Sequence, residues 1–178
     1  WYNTTIKAQK MSINCIRTLI EDSNVSNPEK IALVFGNKKL TYAELFTKVN
    51  QIAYYLAQLD LPKGSRIGLY SNKGIDQVIA ILAILSTNYV LVPLTKLLKP
   101  EQVEYIIGDC DIKCIITDKI KIESIEEIKF DGHIISYETT HKDLPSFEEI
   151  YKYYNKPYIC EVAGHDNAVI TYSFGLSG

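Results

Sequence analysis

The fold is decided by residues 66–94, which read RIGLYSNKGIDQVIAILAILSTNYVLVPL. Two short runs rich in β-branched and aromatic residues flank a longer apolar run at residues 75–85, an order typical of strand, helix and strand. A helix that is apolar on nearly all sides is a buried helix. Pro93 has no backbone N–H to give to a sheet, so it is expected to end the second strand at a sheet edge.

The alternation of strands and helices extends in both directions from this unit. Upstream, the pattern predicts a hairpin turning at Gly36 and Asn37, then a helix that opens with a capping box of Thr41 and Glu44. An earlier helix is expected to begin at Ser12. The fold class predicted is therefore α/β, with a mostly parallel sheet flanked by helices. The remaining elements predicted are a helix from Pro100 to Gly108, strands at residues 113–117, 133–136 and 168–172, and helices at residues 122–128 and 147–153.

Composition is that of an ordinary globular domain. Of the 178 residues, 47% are hydrophobic and 22% charged, and the formal net charge is -2, so a nucleic-acid or anionic-membrane partner has no electrostatic support. The longest apolar run ends at Ser86 and is too short to span a bilayer, and residues 1–10 do not resemble a signal peptide. We therefore expect a cytoplasmic protein. Four tyrosines are predicted to pack a surface helix or an interface rather than stack on bases: Tyr151, Tyr153, Tyr154 and Tyr158.

The cysteines and histidines show no metal-binding spacing. No Cys-x-x-Cys pair occurs, and the three histidines are scattered along the chain. The pattern favours buried thiols in a reducing compartment over a zinc site or a disulfide. The thiols concerned are Cys15, Cys110, Cys114 and Cys160.

Four stretches, in this order, resemble the amino-acid adenylation domains of nonribosomal peptide synthetases, which belong to the adenylate-forming superfamily. They are LTYAEL at residues 40–45, AILSTNYVLVPL at residues 83–94, the helix and strand within residues 99–118, and AVITYSFGLSG at residues 168–178. The opening WYNTT of residues 1–5 is similar to the stretch between condensation and adenylation domains in such synthetases.

The resemblance implies a domain organisation and a set of partners. Residues 1–11 would be an interdomain leader, and residues 12–178 the amino-terminal part of an adenylation domain that ends inside its phosphate loop. The implied reaction uses ATP with Mg²⁺, activates an amino acid, and passes it to the phosphopantetheine thiol of a carrier domain. The implied partners are the remainder of the adenylation domain and neighbouring condensation and peptidyl carrier domains. This part alone is not expected to be active.

The phosphate loop of the family usually reads Tyr-Thr-Ser-Gly-Thr-Thr-Gly, and residues 172–178 align with it. Backbone N–H groups and small hydroxyls suit phosphate oxygens, and glycines let the backbone come close. No catalytic residue and no metal ligand is assigned within the chain. The residues expected to bind the phosphates of ATP are Ser173, Gly175, Ser177 and Gly178, supported by Tyr172, Phe174 and Leu176.

Phe174 and Leu176 depart from this family pattern. Each replaces a residue that usually carries a hydroxyl, and a hydrogen bond to a charged group contributes about 1.5–3 kcal/mol. Three alternatives therefore stay open at this point. The chain is part of a working amino-acid-activating enzyme, a degenerate adenylation-like module that acts as a scaffold, or one half of a split enzyme.

Overall fold

The computed structural model describes residues 16–128, 130–140, 143–154, 156, 158 and 166–173. The leader expected at residues 1–11 and the helix start expected at Ser12 lie outside these residues. The elements are α1 (Ile16–Ser26), β1 (Ile31–Phe35), β2 (Lys38–Thr41), α2 (Tyr42–Ala57), β3 (Arg66–Tyr70), α3 (Ile75–Leu85), β4 (Val90–Leu94), α4 (Pro100–Cys110), β5 (Ile112–Thr117), α5 (Ile122–Glu127), β6 (His133–Ser136) and α6 (Phe147–Tyr153).

The main sheet is parallel, with strand order β4-β3-β5-β6, and β1 and β2 form a separate antiparallel hairpin. Successive side chains of a strand point to opposite faces, so the sheet has two cores. Apolar residues of α2, α3 and α6 fill one core, and those of α4 and α5 fill the other. The predicted fold class, an α/β unit with a mostly parallel sheet and helices on both faces, is confirmed.

The predicted capping box begins α2. The Thr41 hydroxyl accepts the Glu44 N–H at 3.2 Å, and the Glu44 carboxylate accepts the Thr41 N–H at 2.8 Å. These two bonds satisfy backbone donors that a helix start leaves free. The helix ends at Ala57, and Gln58 forms its C-cap.

The end of α4 differs from the prediction. Gly108 was expected to end the helix, but α4 continues through it to Cys110. The left-handed residue that ends α4 is Asp111, with φ of 52°. Aspartate tolerates this conformation better than most residues, and its carboxylate is held by Lys113 at 2.6 Å and Arg66 at 3.3 Å. The helix therefore stops at a residue type that accepts the left-handed conformation.

The strand predicted at residues 168–172 forms only a single bridge beside β4. The Leu91 N–H donates to the Ala168 carbonyl at 3.0 Å, and the Ile170 N–H donates to the Leu91 carbonyl at 2.9 Å. In a parallel ladder the next N–H on this side of β4 would belong to residue 93. That residue is Pro93, which has no N–H. The pairing therefore stops at Ile170.

Three of the four clustered tyrosines pack as predicted. Tyr151, Tyr154 and Tyr158 lie against the core that α2 shares with α6, and Tyr154 meets the ring of Tyr55 edge-on at 5.2 Å. Tyr153 is 78% exposed.

Two of the four cysteines fall within the described residues. Cys110 and Cys114 are free, buried thiols, as expected, and burial raises the pKa of the Cys114 thiol. Cys15 and Cys160 lie outside the described residues. Where the structure describes the chain, no helix has the length and apolar character needed to cross a bilayer.

Candidate functional site

The candidate site lies at the edge of the sheet where the parallel strands end. In open α/β sheets, ligands bind beyond the carboxyl ends of the strands, where the strand order reverses. Here the chain leaves β3 for α3 on one face and leaves β5 for α5 on the other face. The reversal therefore falls between the carboxyl ends of β3 and β5.

A buried carboxylate bridges this position. Asp118, 6% exposed, follows β5, and its Oδ2 accepts the backbone N–H of Asn72 at 2.6 Å and the side-chain N–H of Asn72 at 2.9 Å. Its Oδ1 accepts the N–H groups of Ile120 at 3.0 Å and Lys121 at 3.1 Å. Asp118 thus joins the loop after β3 to the loop after β5 and occupies the gap between them.

A second buried contact joins β3 to β6 at the same edge. The hydroxyls of Ser71 and Tyr137 are hydrogen-bonded at 2.8 Å, and burial raises the pKa of Tyr137. The Thr117 hydroxyl also donates to the Tyr70 carbonyl at 2.7 Å. These bonds fix the ends of three strands relative to one another. A cleft of about 490 Å³ lies outside them, next to the turn of the hairpin.

A cleft of about 550 Å³ opens on the other side of β3, towards residues 171–172. It exists because pairing beside β4 stops at Pro93, which lines it. Two exposed lysines, Lys73 and Lys96, lie at this cleft together with the hydroxyl residues Thr95 and Thr171. Cationic and hydroxyl groups at the carboxyl edge of a parallel sheet suit an anionic ligand such as a phosphate chain.

Tyr172, the first residue of the predicted phosphate loop, contacts the end of α4. Its hydroxyl donates to the Asp109 carboxylate and contacts the Cys110 Sγ at 2.9 Å. The hydrogen bond to Asp109 raises the pKa of Tyr172, since loss of the proton would place a phenolate beside a carboxylate. Tyr172 lines the cleft that holds Lys73, and also a second cleft of about 670 Å³ that holds Lys63 and Arg66.

The structure describes only the first two residues of the predicted phosphate loop. Tyr172 is half-buried, and Ser173 is exposed directly after it. The other residues assigned to the loop lie outside the described residues: Phe174, Gly175, Leu176, Ser177 and Gly178. The assignment of phosphate-binding roles to this loop therefore stays a prediction.

Several site residues were not singled out from the sequence. Three of them lie within a few residues after a strand: Lys73, Lys96 and Asp118. Their position after a strand is the sequence signal that could have identified them. Within the described ranges, no group of three or more His, Cys, Asp or Glu side chains is placed to hold a metal ion.

A parallel sheet with helices on both faces and a cleft at its carboxyl edge places the chain among the open α/β proteins that bind ligands at this edge. The family model for AMP-binding enzymes matches residues 20–175. The chain belongs to this family, and the resemblance to adenylate-forming enzymes is confirmed.

The sequence relatives include two synthases from Brevibacillus. Tyrocidine synthase 1 of Brevibacillus parabrevis is 28% identical over 163 residues, which are 92% of this chain and 14% of that protein. Gramicidin S synthase 1 of Brevibacillus brevis is 31% identical over 132 residues, 74% of this chain and 12% of that protein. The chain thus spans about one seventh of these relatives' length or less.

Solved structures share the fold at lower sequence identity. An anthranilate CoA ligase in complex with anthranoyl-AMP has a TM-score of 0.85 at 22% identity, over 97% of this chain and 35% of that one. A Mycobacterium tuberculosis fatty acyl CoA synthetase has a TM-score of 0.75 at 21% identity, over 89% of this chain and 32% of that one. These likenesses establish the fold of an adenylate-forming enzyme.

Proposed function

We propose that the chain is part of an enzyme that activates an amino acid with ATP and transfers it to a carrier-domain phosphopantetheine in nonribosomal peptide synthesis. Membership of the AMP-binding family carries the adenylation part of this proposal. The amino acid is proposed because the motifs of the chain resemble those of peptide-synthetase adenylation domains, and the similarity to tyrocidine synthase 1 and gramicidin S synthase 1 supports this. The proposal includes a cytoplasmic location, a leader at residues 1–11, and adjoining condensation and carrier domains.

The proposed adenylation reaction requires the site to bind the polyphosphate of ATP. An oxygen of the amino-acid carboxylate would bond to the α-phosphorus of ATP while the bond from that phosphorus to pyrophosphate breaks. Negative charge builds on the leaving pyrophosphate, and N–H and hydroxyl donors stabilise it best when they are already in place. The lysines beside the cleft, Lys73 and Lys96, fit the charge of this ligand.

We assign the closest phosphate contacts to the loop that begins after Tyr172. The Ser173 and Ser177 hydroxyls would donate to phosphate oxygens, and Gly175 and Gly178 would bring backbone N–H groups near. Mg²⁺ would enter with ATP, because the described residues offer no cluster of ligands for it. Tyr172, Phe174 and Leu176 would support the loop.

Amino-acid-dependent exchange of pyrophosphate into ATP tests the reaction. The full-length natural protein is assayed with a panel of amino acids, and with aryl and fatty carboxylates because the solved neighbours include CoA ligases. Exchange with amino acids alone supports the proposal. Exchange with an aryl or fatty carboxylate alone replaces the amino acid in the proposal, and failure with every carboxylate refutes adenylation.

The thiol acceptor needs its own assay. The activated substrate is offered to phosphopantetheine on a carrier domain and, in parallel, to free coenzyme A. Loading of the carrier domain supports a peptide-synthetase function, whereas transfer to coenzyme A alone contradicts it. The carrier domain without its phosphopantetheine is the matched control, because it presents the same surface without the thiol.

A second candidate function is a non-catalytic scaffold or one half of a split enzyme. Phe174 and Leu176 favour the scaffold, since each replaces a hydroxyl donor at the phosphate loop. The test is Phe174→Ser combined with Leu176→Thr. If the natural protein is silent and this variant gains exchange, the loop has been silenced. If neither the natural protein nor the variant shows exchange, the assay is repeated with the neighbouring chains added. Exchange that appears only with these chains supports a split enzyme, and no exchange even then supports the scaffold.

A further inference from the structure

The segment that leads into the phosphate loop has two anchors of different kinds. Its backbone is tied to β4 through Leu91, which bonds to Ala168 and Ile170. Its side-chain anchor is Tyr172, whose hydroxyl meets Asp109 and Cys110 at the end of α4. The two anchors lie on either side of Thr171.

The backbone anchor cannot hold the loop entrance by itself. Because Pro93 has no N–H, the ladder to β4 stops at Ile170, and the chain then borders the cleft instead of the sheet. Thr171 and Ser173 are both exposed. The side chain of Tyr172 is therefore the main described constraint on the position of Ser173.

The platform beneath this side chain is rigid. Helix α4 is seated in the core through Val103 and Ile106, each 1% exposed. Cys110, 7% exposed, lies in the same core. A phenol has one proton, so when its hydroxyl donates to the Asp109 carboxylate, its oxygen is left to accept the thiol proton of Cys110. A hydroxyl held by both partners has little freedom to move.

We propose that Asp109 is a positioning residue for phosphate binding: through the Tyr172 hydroxyl it fixes Thr171 and Tyr172 where they line the cleft that holds Lys73 and Lys96, and so sets where the chain continues to Ser173. Asp109 does not touch the ligand. Its carboxylate is engaged on the α4 side of the tyrosine ring. We call the contact between the Tyr172 hydroxyl and the Asp109 carboxylate the tether. The identity of the ligand, the phosphates of ATP, rests on the proposed function, whereas the tether rests on the contacts of Tyr172.

Substitutions at both ends of the tether test this proposal in the full-length natural protein. Tyr172→Phe removes the hydroxyl, and Asp109→Ala removes its acceptor. Asp109→Asn keeps a neutral acceptor of the same length. The matched control is Asp111→Asn, which changes a nearby exposed aspartate that pairs with Arg66 and Lys113 instead. The KM values for ATP and for the carboxylate substrate, and kcat, are measured by pyrophosphate exchange.

We expect a selective loss of ATP binding. Tyr172→Phe and Asp109→Ala each raise the KM for ATP about tenfold, the effect of one lost hydrogen bond to a charged group, while the KM for the carboxylate substrate is unchanged. Asp109→Asn raises the KM for ATP about threefold, because a neutral bond is about half as strong. The double variant Tyr172→Phe/Asp109→Ala is no worse than either single variant, since both remove the same contact.

Other results would overturn the tether. If Tyr172→Phe lowers thermal stability but leaves the KM for ATP at the wild-type value, the contact is structural only. If the control Asp111→Asn raises the KM for ATP as much as the tether variants do, then charge near α4, and not the tether, sets ATP binding.

Hydrogen exchange separates failure of the tether from failure of the proposed function. The Ile170 amide, which donates to the Leu91 carbonyl, should exchange faster in Tyr172→Phe and Asp109→Ala than in the wild type and in Asp111→Asn. This measurement needs no activity, so it decides on the tether even if the wild type adenylates nothing. Unchanged exchange rates in both variants refute the tether, whereas a silent wild type refutes only the proposed function.

Discussion

Asp118 should contribute more to stability than any single exposed carboxylate of this protein. It accepts hydrogen bonds on both oxygens, from Asn72 on one side and from Ile120 and Lys121 on the other. An asparagine at this position has one accepting atom. Either orientation of its amide would turn an NH₂ group towards two N–H donors, so Asp118→Asn loses two of the four bonds.

The magnitude follows from these two bonds. A hydrogen bond to a charged group contributes about 1.5–3 kcal/mol, and the half-buried Asn72 recovers part of this by binding water after the substitution. We therefore expect Asp118→Asn to lower the free energy of unfolding by about 3 kcal/mol. For a domain of this size, that corresponds to a fall in Tm of about 6–12 °C.

Urea unfolding and thermal melts measure this difference. The matched control is Glu138→Gln, because the Glu138 carboxylate accepts one N–H, from Lys119 at 3.1 Å, at an exposed position. The control should change the free energy of unfolding by less than about 0.5 kcal/mol. A Tm for Asp118→Asn equal to that of the control would refute the reasoning that Asp118 joins the two loops.

Three further predictions concern stability. Thr41→Ala removes half of the capping box and should lower the free energy of unfolding by about 1 kcal/mol; no change in urea unfolding would contradict the role of the cap. Ile84→Ala empties a fully buried position and should cost about 2–5 kcal/mol by the same measurement, whereas a loss below about 1 kcal/mol would contradict its burial. The pKa of Tyr137 is raised on folding, so its stabilising effect is complete below about pH 10 and is lost as the pH rises further. In urea unfolding from about pH 8 to 11, the free energy of unfolding should therefore fall less steeply with pH in Tyr137→Phe than in the wild type. An equal fall in both proteins would contradict this.

Local chemistry made most of the elements predictable. The capping box of Thr41 and Glu44 sits within four residues of sequence, and the helix Ile75–Leu85 has the predicted bounds because an apolar run continues from Val78 to its end. The hairpin turn at Gly36 is equally local, since that residue has φ of 57° and glycine adopts this conformation easily.

Contacts between distant residues were not predictable from the same patterns. Asp118 meets Asn72 because β5 pairs with β3 rather than with β4, and hydrophobic periodicity does not encode strand order. The end of α4 illustrates the same limit. Gly108 and Asp111 are both residue types that can stop a helix, and the structure has Asp111 in the left-handed conformation that ends α4.

The proline in β4 also limits how a second molecule could pair with this sheet. A strand that borders a sheet normally offers a row of free N–H and C=O groups, and such a row can recruit a strand from another molecule. At Pro93 that row is interrupted, and the exposed proline ring stands where a donor would be. A second copy could therefore not extend a continuous ladder along β4, even if residues 168–170 were displaced. The same residue that opens a cleft inside the molecule also protects the sheet against growth between molecules.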